Sequence, residues 1–172
     1  MYLVEDFVSQ YGKSLGLELV AGRAGMSRRI KKPEVHRPGL SLTGYLQGYV
    51  PARILVIGRQ EINYLRNLEM SLQVARLKAL FTSATPAVIV AKGCGIPREW
   101  IHLCDAVGLP LFRANLHATH LLSRVTFLLL EEFCPSVTLH GTLVEVFGVG
   151  VLIQGESSVG KSEAALGLIE RG

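Results

Sequence analysis

The strongest constraint on this chain is an alternation that runs from about residue 53 to residue 133. RILVIG (53–58) and AVIVAKG (87–93) are short, continuous apolar runs, each closed by glycine. A run with no polar side to turn outward must be covered on both faces, which is the condition of a strand inside a parallel sheet. Between and after these runs the apolar spacing becomes helical. Residues 59–81 repeat through Ile62, Leu65, Leu68, Val74 and Leu77, PREWIHLCDAVG (97–108) carries proline in its first turn, and HATHLLSRVTFLLLEEF (117–133) has the period of a long buried helix. LPLFRAN (109–115) supplies a third short strand between the last two. Strand and helix in turn predict an α/β layer with a mainly parallel sheet.

Upstream, Leu3, Val4, Phe7 and Val8 share one helical face, LELVAG (17–22) reads as a strand, and SRRIKKPEVHRPGL (27–40) as an edge strand or loop followed by a turn. Cys134 and Pro135 break the long helix, and a strand-rich register follows in LVEVF (143–147) and VGVLIQG (149–155). This predicts an α/β domain over 1–133 and the beginning of a second domain over 134–172. At 49% hydrophobic and 19% charged residues the chain has the composition of a folded globular protein. The formal charge of +4 is too mild to argue for nucleic acid. No run is apolar enough for a membrane span, and the N-terminal MYLVEDFVSQ lacks the pattern of a secretory signal, so a cytoplasmic location is expected. Cys94, Cys104 and Cys134 have no metal-ligand spacing and read as reduced, mostly buried thiols.

The chemistry concentrates near the C-terminal end. Gly155, Glu156, Ser157, Ser158, Val159, Gly160, Lys161 and Ser162 satisfy G-x-x-x-x-G-K-[ST] between an apolar strand and the amphipathic SEAALGLIERG. The spacing lets successive backbone N–H groups face a phosphate without Cβ obstruction. Lys161 adds a point charge, Ser162 a hard oxygen for Mg²⁺, and the following helix aims its positive dipole end at the same place. His140, in TLHGTLVEV, reads by itself as a structural histidine at a strand start. His117 and His120 form H-x-x-H with no accompanying carboxylate or cysteine, which favours helix-start packing over a metal site. The cluster Arg28, Arg29, Lys31, Lys32, His36 and Arg37 could receive an anion or an acidic partner, but with no interleaved aromatics a solvated edge strand is favoured. Phosphoryl transfer usually needs a carboxylate near the metal and a group to orient the nucleophile. The chain has only Asp6 and Asp105, and only Glu163 and Glu170 follow Ser162.

RRIKKPEVHRPGLSLTGYL (28–46), RILVIGRQEINYL (53–65) and LHGTLVEVFGVGVLIQGESSVGKSEAALGLIERG (139–172) together resemble the HPr kinase/phosphorylase family along the whole chain. The resemblance implies phosphorylation of a serine of the phosphocarrier protein HPr from ATP or pyrophosphate, and phosphorolytic removal of that phosphate, in the regulation of bacterial carbon metabolism. It implies nucleotide binding by residues 155–162, a catalytic Lys161, Mg²⁺ on Ser162, a catalytic His140 in its H-G-x-L-V-x-V setting, and hexamers built through the C-terminal domain. The family usually has glycine where this chain has Ser158, so serine is a strained choice if that position needs a positive φ. The family's aspartate pair and later metal-binding glutamate are expected beyond residue 172. The 172 residues are therefore expected to lack turnover by themselves; the alternative is a non-catalytic regulatory or assembly module.

Overall fold

The computed structural model describes residues 2–134 and 137–171 and divides the chain into two compact units, with the break after Cys134. Pro135, part of the expected boundary, lies outside the described residues.

The first unit is built on a five-stranded sheet: β1 (Glu18–Ala21), β2 (Val35–His36), β3 (Ile54–Ile57), β4 (Val88–Val90) and β5 (Leu111–Arg113), in the spatial order β1-β5-β4-β3-β2. The steps from β2 to β5 are parallel and β1 runs antiparallel on the outside of β5. The two apolar runs in the sequence are thus the two central strands, and all four residues of β3 and all three of β4 are buried. Alternation along β3 shows why both faces had to be apolar. Leu55 and Ile57 pack on one side with Val88, Val90 and Leu111, whereas Ile54 and Val56 pack on the other with Ile89 and Phe112.

Helices cover each side. On the Leu55 side lie α2 (Gly39–Leu42), α3 (Arg59–Arg66), α4 (Met70–Leu80) and α5 (Arg98–Val107), which contribute Leu42, Ile62, Leu65, Leu77, Leu80 and Trp100. On the Ile54 side lie α1 (Val4–Leu15) and α6 (Ala118–Phe133), which contribute Val4, Phe7, Leu15, Leu121, Val125 and Leu129. Each of these fully buried apolar side chains stabilises the fold by roughly 1.5–3 kcal/mol. The result is the expected α/β architecture with a mostly parallel sheet.

Several local readings change. The helical stretch expected over 59–81 is two helices, because Asn67 and Leu68 close tight turns on Tyr64 and Leu65 and Glu69 is extended. The break leaves Met70 and Leu72 exposed and returns Leu77 and Leu80 to the core. Only Cys104 of the three cysteines is buried; Cys94 is half-buried and Cys134 exposed. The basic cluster is not uniformly solvated. Arg29, Lys31 and Lys32 are exposed, but the Arg28 guanidinium donates to the carbonyls of Thr82, Ser83, Thr85, Val107 and Gly108, and Arg37 pairs at 2.8 Å with the buried Glu61.

The second unit is small. β6 (Thr142–Val146) and β7 (Val149–Ile153) form an antiparallel hairpin, and α7 (Lys161–Glu170) follows. No residue of the apolar strand β7 is fully buried, Val151 and Ile153 being half-buried, and Ala165 is the buried hydrophobic side chain among this unit's described residues.

Candidate functional site

The loop from Gly155 to Gly160 leaves β7 and enters α7, and its backbone explains its composition. Gly160, at the N-terminal cap of α7, has φ 85°, a left-handed conformation that L side chains rarely adopt. A Cβ at Gly155 would approach Val159 Cγ2 to 3.0 Å, so a side chain there would press Val159 out of place. Ser158 also lies in the left-handed region, at φ 69°, and is one of two non-glycine residues of the described chain to do so, with Phe147. The position whose serine the sequence flagged is therefore one that requires positive φ.

Lys161 is half-buried, and its Nζ donates to the carbonyl of Gly155 at 2.8 Å and to that of Glu156, which holds the ammonium against the start of the loop. Ser162 is exposed in the first turn of α7. Ser158, Gly160, Lys161, Ser162 and Glu163 line a polar cleft of about 410 Å³. These features fit a phosphate group: glycine at both ends of the loop, the positive end of a helix dipole, one ammonium, and an exposed hydroxyl beside a carboxylate as hard oxygen donors for Mg²⁺. Among the described residues no group of three or more His, Cys, Asp or Glu side chains is placed to hold a metal ion.

His140 is exposed and precedes β6. β6 and β7 pair from Thr142 opposite Ile153 onward, so the segment holding His140, just before β6, and the segment that opens the loop, just after β7, leave the same end of the hairpin. The approach is enforced at Gly141, where a Cβ would lie 2.7 Å from the Ile153 carbonyl oxygen. The hairpin thus brings the histidine and the loop, fifteen residues apart in sequence, to one end of one small sheet. His117 and His120 are both exposed at the start of α6, in the other unit. Glu163, one of the two carboxylates that follow Ser162 in the sequence, also lines the cleft. Its place in the cleft follows from its being the third residue of a helix that starts at the loop's lysine.

Comparison with known families decides the ancestry. A family model described as HPr Serine kinase N terminus matches residues 3–129, and one described as HPr Serine kinase C-terminal domain matches residues 131–172. The chain belongs to the HPr serine kinase family. Its relatives include the HPr kinase/phosphorylase of Exiguobacterium sp., 40% identical over 156 residues, which are 91% of this chain and 50% of that protein. The HPr kinase/phosphorylases of Geobacillus thermodenitrificans and Bacillus subtilis are 39% and 38% identical over 168 residues, covering 98% of this chain and 53% of each relative. The chain spans about half the length of the curated relatives it matches. Among the described residues no helix is long and apolar enough to cross a membrane.

Proposed function

We propose that this chain carries the N-terminal domain and the phosphate-binding opening of the catalytic domain of an HPr serine kinase/phosphorylase. Such an enzyme phosphorylates a serine of HPr and reverses the modification by phosphorolysis, as part of bacterial carbon-metabolism control. The observation that carries the reading is the 155–162 loop: Gly160 at φ 85°, Lys161 held over the loop, and a polar cleft at the start of α7, in a chain of this family. ATP or pyrophosphate would supply the phosphoryl group when bound, with Mg²⁺ offsetting its charge. Lys161 would exchange its two carbonyl acceptors for phosphate oxygens, the loop amides would orient the anion, and the Ser162 hydroxyl would offer the metal an oxygen ligand. His140, at the loop's mouth, would contact the reacting groups.

The partner in this reading is HPr, the location cytoplasmic, and the assembly a hexamer built by the catalytic domain. The 172 residues alone are expected to bind without turnover. Titration calorimetry with magnesium pyrophosphate tests the site: binding that disappears in Lys161→Ala supports it, and equal binding by the two proteins refutes it. A coupled assay with HPr, ATP and Mg²⁺ tests the activity. Phosphoserine formed well above the Lys161→Ala control would show that the 172 residues turn over after all.

A second reading, a non-catalytic regulatory or assembly module, draws on the contrast between the units. The first has a sheet packed on both faces, while the second leaves Leu143, Val149, Leu166 and Ile169 exposed. A complete reading frame that encodes no further aspartate-bearing segment would favour it.

A further inference from the structure

We propose that Glu163 makes anion binding in the 155–162 cleft conditional on a divalent cation, a role that rests on the phosphate-binding reading above. Glu163 is the third residue of α7 and lines the cleft with Ser158, Gly160, Lys161 and Ser162. Its carboxylate is folded back toward the loop: Oε2 lies 3.6 Å from the point a Cβ on Gly160 would occupy. Lys161 is committed to the carbonyls of Gly155 and Glu156, and none of the ion pairs formed by the described residues involves Glu163. The cleft therefore holds one ammonium and one carboxylate that is not neutralised by it.

A pyrophosphate group brings several negative charges to this place, and a carboxylate lining the same cleft opposes them. The opposition reverses sign when a divalent cation lies between. Ser162 and Glu163 are consecutive, exposed and both hard oxygen donors, and Mg²⁺ characteristically takes one or two protein oxygens while keeping several waters. With the cation present, the carboxylate attracts the ion that the phosphates also need. With the cation absent, it repels the phosphates. Glu163 thereby sets the difference between the two conditions and guards the loop against metal-free anions. A purely structural role is also chemically defined: an acidic residue in a first turn favours the helix dipole. That role affects stability and leaves the cation dependence where it was.

The test titrates pyrophosphate by calorimetry into the full chain, with and without Mg²⁺, for wild type, Glu163→Gln, Glu163→Ala and Lys161→Ala, and records the thermal midpoint of each ligand-free protein. Both uncharged Glu163 variants should bind magnesium-free pyrophosphate on the order of tenfold more tightly than wild type, and the gain from adding Mg²⁺ should shrink by a similar factor. If the Mg²⁺ dependence is unchanged in both variants while Lys161→Ala abolishes binding, the proposal is overturned, and a lowered midpoint alone assigns Glu163 to the helix dipole. If Lys161→Ala binds as wild type does, the phosphate-site reading has failed and the role of Glu163 falls with it.

Discussion

Ser158 at φ 69° shows how much one residue can matter in a loop this short. A side chain in the left-handed region costs roughly 1 kcal/mol relative to glycine, and here the strain sits within the loop proposed to bind phosphate. Ser158→Gly should release it and tighten pyrophosphate binding by up to about fivefold, the equivalent of ~1 kcal/mol. Calorimetry showing equal or weaker binding would mean that serine holds this conformation at no cost. His36 makes a second prediction at this scale. It is half-buried beside Tyr49, its Nε2 has no hydrogen-bond partner, and burial, then the Arg53 charge, lowers its pKa below 6.5. In the unfolded chain His36 regains the ordinary value of about 6.5 and binds a proton that the folded state refuses. The stability from a neutral His36 is thus fully present above pH 6.5 and is lost as the pH falls from there through the lower folded-state pKa. Urea unfolding at several pH values should show this loss, and His36→Phe should flatten it.

At the level of elements, Arg28 is a tether. Its guanidinium joins the segment after β1 to the α4–β4 loop and the end of α5 through five carbonyls, at distances from 2.6 to 3.5 Å. Arg28→Ala should destabilise the first unit by roughly 2–4 kcal/mol, since it strands part-buried acceptors at several loops at once. Arg28→Lys should recover only part of this, because one ammonium cannot span the same fork. Chemical denaturation of the two variants checks both statements. A second tether joins α1 to α6, where Tyr11 and Gln10 donate to Glu132 at 2.6 and 2.8 Å. In the second unit the hairpin depends on Gly141. A methyl group there meets the Ile153 backbone, which cannot move without parting β6 from β7, so Gly141→Ala should speed amide exchange at Val144 and Val151.

On the scale of the whole molecule, the two units differ in how completely they bury what they carry. The first packs both faces of its sheet, from Val4 to Leu129. The second exposes Leu143 at 72%, Phe147 at 82% and Ile169 at 56%. Exposed strand edges and apolar surface of this kind fray or associate. Limited proteolysis of the 172-residue chain at low concentration should leave a resistant fragment close to residues 1–134 and remove most of the rest. Even cutting along the chain, or equal resistance in both parts, would contradict this.

The sequence by itself determined the central strands, the helices that cover them and the position of the loop. Each follows from a local rule: a strand buried on both faces must be apolar throughout, a covering helix must repeat its apolar residues at helical spacing, and a phosphate cradle must be glycine-bearing. Only the tertiary structure decided what depends on partners distant in sequence. Arg28 and Arg29 are neighbours of one residue type, yet Arg28 finds five carbonyls on distant loops and Arg29 stays exposed. The antiparallel entry of β1, the break at Asn67 that returns Leu77 to the core, and the register that sets Thr142 opposite Ile153 are of the same kind. A residue's type and spacing fix which surface it needs, but which surface it meets is settled by long-range pairing, and that information lies in no single stretch of the chain.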